Sequence, residues 1–173
     1  VVRVGTHAVS EGAKSTLWGR LKQHQGSTNG GGNHRGSVFR LHVGAALLRR
    51  DGVTHPTWGN GSSATAAVRG DEVELERRVS RHLGAMRVLW VDIPDAPGKH
   101  SQRAFIERNA IALLSNTLAP TDAPSRDWLG KHSPTPEIRA SGLWHVNFVR
   151  NVVEPGFLER FEAIVDATLR DAG

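Results

Sequence analysis

The 173-residue chain has no cysteine, no tyrosine, a single methionine (Met86), and no apolar run approaching the length of a bilayer span. The first absence excludes disulfides and cysteine-based zinc sites and fits a reducing compartment, so the expected setting is cytoplasmic. The last excludes a membrane partner through a spanning helix, and no secretory leader pattern is visible. Aromatic residues make up only 6% and hydrophobic residues 38%, against 19 glycines. That balance suits one domain, residues 1–173, with a real core and long irregular loops. Lys and Arg number 22 against 17 Asp and Glu, a net charge of +5, with nine His in reserve. A basic surface of this kind favours a polyanionic partner.

Hydrophobic periodicity and cap residues divide the chain. Val1–Gly5 is β-rich. Ser15 or Thr16 caps a helix whose stripe is Leu17, Trp18 and Leu21, and "QGSTNGGGNHRG" follows as a loop. Ser37–Arg50 reads as a second helix with Phe39, Val43, Ala46 and Leu47 inward and Arg40 and His42 on its surface. Residues 51–70 form a polar insertion that Trp58 suggests is docked somewhere, and Asp71–Leu83 is a helix with acidic residues first and basic residues last, as its dipole favours. "MRVLWVDIP" (Met86–Pro94) has the clearest strand composition, and "LWHVNFV" (Leu143–Val149) reads as a short strand. Ser101 caps a helix over Gln102–Asn116, and Glu154–Ala172 is an amphipathic helix. The expected fold is α/β (α+β): a small mixed sheet flanked by helices.

Glu107 lies between Ile111 and Leu114 on its helix, at about 200° on a projection where they sit near 240° and 180°. A carboxylate there is costly unless it is paired or holds a metal. It has two candidate partners, Arg103 one turn earlier or a divalent cation completed by water and phosphate oxygens. Arg20 and His24 are about 40° apart beside Leu17 and Leu21. Taken singly they are solvated helix charges. Taken with Glu107 they supply what phosphodiester cleavage needs: a guanidinium on a phosphate oxygen, an imidazole to take a proton from water, and a cation at the leaving oxygen.

These residues also carry a resemblance. "RVG" (Arg3–Gly5) followed by "LWGRLKQH" (Leu17–His24) resembles the second motif and following helix of the GIY-YIG nuclease superfamily, especially its restriction-enzyme-like members. Met86–Asn116, with "FIERNAIALL", resembles that superfamily's third strand and glutamate-bearing helix. The resemblance implies a GIY-YIG-like core with a helical insertion (44–85), a C-terminal extension (117–173), and a first strand upstream of Val1. It implies an Mg²⁺-dependent (or Mn²⁺-dependent) endonuclease hydrolysing DNA. Arg20 would bind phosphate and Glu107 the metal. His24, with His7, would cover proton transfer, and Gly5 with Asn116 or Asn147 would support the site. The tyrosine of the second motif falls on Arg3. Because no tyrosine occurs anywhere in the chain, a nucleic-acid-binding module of the same fold without catalysis is the alternative. Separately, "GNHRGSVFR" offers Asn33, His34, Arg35, Ser37 and Arg40 to DNA phosphate, an anion loop leading into a helix.

Overall fold

Four helices begin where a hydroxyl side chain precedes an apolar stripe. Thr16 accepts the Gly19 N–H and opens α1 (Leu17–Gln25); Ser37 accepts the Arg40 N–H and opens α2 (Val38–Arg50). Thr65 opens α3 (Ala66–Gly84) in the same way, and Ser101 opens α4 (Gln102–Leu114). Each cap satisfies an orphan donor and contributes roughly 1 kcal/mol. α5 (Pro136–Ser141) starts on proline and stops at Gly142, whose φ of 75° suits glycine. α6 (Phe157–Asp171) closes the order, and short 3₁₀ turns span His34–Gly36 and Leu129–His132. The computed structural model describes all residues except 28, 30, 172 and 173. Thr28 and Gly30 of the glycine loop, and Ala172 of the expected last helix, lie outside the described residues.

The expected sheet is not there. No strand occurs among the described residues, and the architecture is all-helical. A strand is made by its partner, not by its composition. Val1–Gly5 exchanges one backbone bond, from Trp144 N–H to Val2 C=O at 2.8 Å. Its other partners are the His145 side chain, which accepts the Val4 N–H at 3.0 Å, and the Trp144 carbonyl, which receives Arg3. Met86–Pro94 runs as irregular chain with Leu89 91% and Trp90 68% exposed. Leu143–Val149 is irregular as well, although Leu143, Trp144, His145 and Val149 are buried.

Side chains settle into two main cores. One joins α2 and α3 through Phe39, Val43, Leu47, Leu75, Val79 and Leu83, closed by Trp128, Ile138 and Trp144. The other joins α4 and α6 through Ile106, Ala110, Phe157 and Ile164, with Val91 and Ile93 laid against it. The N-terminal segment is the seam between them: Val2 packs on the first core and Val4 on the second. Arg3 therefore emerges where the two meet. α1 buries no residue of its own and lies against α3. No helix among the described residues is long and apolar enough to cross a membrane.

Candidate active site

α1 is held by its tail. Arg40, on the inward face of α2, donates to the carbonyls of His24 and Gln25 at 2.9 and 3.1 Å, the last turn of α1. A cation at a helix C-terminus meets the negative end of its dipole. The same guanidinium pairs with Glu76 of α3 and reaches Ser80. Gly32 lies directly on it, so close that a Cβ there would fall 2.2 Å from Cζ. This corrects two expectations, because Arg40 is a fully buried structural cation, neither a surface residue nor a phosphate ligand.

The rest of the proposed anion loop is spent the same way. His34 is buried, donates from Nδ1 to Glu76, accepts the Gly59 N–H at Nε2, and stacks on Trp58 at 3.9 Å. Arg35 forms a bidentate pair with Glu72, which also accepts from Thr57. Arg35 holds the Glu72 carboxyl down at about 2, against burial. Burial pushes Glu76 upward, but its bonds to His34 and Arg40 prevail and it stays below the carboxylate range. Ser37 is the buried α2 cap. Only Asn33 of this group is exposed, and its side chain caps the 3₁₀ turn by accepting the Arg35 N–H.

The position of α1 brings Arg20 and His24 toward the seam. Phe39 is the platform there. The His24 ring meets it edge-on with centroids 5.6 Å apart, and the Arg3 guanidinium lies over it at 4.8 Å. α4 supplies Glu107. Burial raises its carboxyl pKa, while Arg3, the Thr6 backbone and Arg20 pull it back, so all three early-chain groups act on this one acid. Arg103, the alternative partner one turn earlier, is engaged by Asp95 instead. Among the described residues Glu107 forms no ion pair within 4 Å. Arg20 donates to Gln23 at 2.8 Å on its own helix.

His24 is neutral at pH 7. Burial, then the charges of Arg3, Arg20 and Arg40, lower its pKa to about 4. Its Nδ1 lies 2.7 Å from Ser37 Oγ. That oxygen already accepts the Arg40 N–H as a helix cap, and His24 Nδ1 is the acceptor within reach of its own proton. The satisfied arrangement is Ser37 O–H donating to Nδ1, with the ring proton on Nε2. His24 thus presents an N–H donor.

His7, in the N-terminal segment, lies against Arg103 of α4, its Nε2 3.4 Å from Arg103 Nη1. Asn116 is tied to the 122 and 141 carbonyls, holding loop to loop; Gly5 and Asn147 are exposed. Two hollows, of about 480 and 760 Å³, lie beside the glycine loop and between residues 9–11 and 95–102; neither is lined by Arg3, Arg20 or Glu107. The sequence reading gave no site role to Arg3 or Phe39, and it offered Ser37 to DNA phosphate rather than to His24. The one available signal was a charge inside the apolar run "VVRVG".

Residues 1–171 match the family model described as the GIY-YIG domain. The chain belongs to the GIY-YIG nuclease superfamily. No curated protein and no solved structure matched it. The GIY-YIG match takes in the N-terminal segment, α1 and α4, which carry the Arg3, Arg20, His24 and Glu107 cluster, and runs on through α6. Among the described residues of this GIY-YIG domain, no three His, Asp or Glu side chains converge as a metal cage. The donor set is instead one carboxylate without an ion pair beside two guanidiniums. That set fits a cation held by a single protein oxygen and completed by water and phosphate.

Proposed function

We propose that this GIY-YIG domain is a divalent-metal-dependent endonuclease that hydrolyses DNA phosphodiester bonds. The observation that carries this reading is the match of residues 1–171 to a nuclease family, supported by an α4 carboxylate, Glu107, that feels the charges of Arg3 and Arg20. The reaction is in-line attack of water on phosphorus, with the P–O bond to the departing sugar oxygen breaking as the new one forms. The water's proton passes to solvent, and the departing oxygen takes one up from it. Arg20 holds a non-bridging oxygen, where permanent charge and fork geometry suit the growing negative charge. His24, as an Nε2–H donor, holds another acceptor of the phosphate. Burial and the neighbouring guanidiniums favour this donor role over the proton-transfer role expected from sequence. Glu107 would hold Mg²⁺ or Mn²⁺, which acidifies bound water and stabilises the leaving oxygen.

The test is nicking of supercoiled plasmid with Mg²⁺ or Mn²⁺ against a chelator control. The wild-type chain is expected to nick and Glu107→Ala to fall to background. Salt-sensitive DNA binding with no metal-dependent nicking would establish the non-catalytic binding module instead.

A further inference from the structure

Among the described residues, three shielded arginines spend most of their N–H groups inside the fold. Arg40 gives its N–H groups to Glu76, Ser80 and the carbonyls of residues 24, 25 and 76. Arg35 gives its own to Glu72 and the carbonyls of residues 57 and 60. Arg103 gives its own to Asp95 and His7. Arg3 does not spend its own this way. Of the five N–H donors of its guanidinium, one goes to the Trp144 carbonyl, and no other acceptor is recorded among the described residues. The group is half-buried, has no carboxylate within 4 Å, and rests its face on Phe39, which accepts no N–H in the ring plane.

Arg3 also shares Glu107 with Arg20. Two guanidiniums and one carboxylate leave the cluster at +1, with neutral His24 beside it. Beside three arginines satisfied internally, Arg3 is a pinned, oriented cation with spare donors, in a cluster with excess charge. An anion with several acceptor oxygens answers both.

We propose that Arg3 is a second phosphate-binding residue of this site, holding the scissile phosphodiester together with Arg20. The assignment rests on the nuclease reading and deepens it: the position that carries tyrosine in the motif is here given to charge stabilisation. A guanidinium cannot relieve the attacking water of its proton, so Arg3 acts by binding the phosphate oxygens as negative charge builds on them.

Arg3→Gln removes the charge and keeps an N–H for the Trp144 carbonyl; Arg3→Lys keeps the charge without the fork. Binding to duplex DNA is measured against salt in EDTA, and single-turnover plasmid nicking is measured in Mg²⁺. Arg3→Gln is expected to reduce the slope of log K against log salt by about 0.9 and to slow nicking by roughly 10²-fold or more. Arg3→Lys should restore the slope and part of the rate. A wild-type slope and a rate within threefold for Arg3→Gln would overturn the proposal while the nuclease reading stands. No nicking by wild type, with the slope still dependent on Arg3, would sink hydrolysis and leave the phosphate contact in place. If Arg3→Gln does not fold, the arginine side-chain N–H resonances of the wild-type protein are followed as duplex DNA is added in Ca²⁺. An Arg3 signal that stays put while Arg20 shifts overturns the assignment.

Discussion

Removing Arg40 tests how α1 is held. The Arg40 side chain is 0% exposed and that of Glu76 5%. Arg40→Met leaves the carboxylate in the core without its guanidinium and strips the carbonyls of His24 and Gln25 of their donor. Breaking a buried pair from one side costs about 3–5 kcal/mol. For a domain of this size each kcal/mol moves the midpoint by roughly 2–4 °C, so Tm should fall by about 6–20 °C. Protonation of the abandoned Glu76 recovers part of this at low pH, which makes the deficit larger at pH 8 than at pH 5. The assay is thermal unfolding by circular dichroism at both pH values, with Arg40→Met/Glu76→Met beside the single variant. The double variant should recover part of the loss, since it leaves no orphan charge, although His34 then loses the acceptor of its N–H groups. A single variant within about 2 °C of wild type at pH 8 would refute the reasoning.

Two further outcomes follow from burial. His145 is buried, and burial followed by the charge of Arg3 lowers its pKa from 6.5 to about 3. The unfolded state therefore binds more protons below pH 6.5, so this stability is fully present above that value and lost as pH falls toward 3. About 5 kcal/mol at most is at stake, and His145→Gln should flatten the Tm profile between pH 6.5 and 4. Glu72, held at about 2, keeps its contribution down to its unfolded value near 4.5 and loses it below, a separate and more acidic leg. Leu89→Ser should leave Tm within about 0.5 kcal/mol equivalent of wild type, because Leu89 is 91% exposed; a large loss would restore the strand.

The helices were legible because their signals are local. Ser37 and Ser101 cap where they stand, and Phe39, Val43 and Leu47 recur at helical spacing whatever the rest of the chain does. The sheet was misread because valines in "RVLWV" report only a propensity, and among the described residues no second strand lies beside them. The buried charges were legible in principle. Arg40 shares the spacing of Val43 and Leu47, and Glu72 and Glu76 share that of Leu75, Val79 and Leu83, so opposite charges stood on two inward faces. Arg20 and Glu107 were chosen by order and spacing. Arg3 was passed over because its surroundings are set by Phe39 and Trp144, residues far away in sequence.

Whether Arg20 and Glu107 act on one phosphate is decided by a cycle of single-turnover nicking rates in Mg²⁺ for wild type, Arg20→Ala, Glu107→Gln and the double variant. A shared site requires each single variant to lose roughly 10²-fold or more and the double to be about as slow as the slower single, since groups that act as a unit do not lose rate independently. Single variants at wild-type rate, or losses that multiply in the double, would contradict convergence on one phosphodiester.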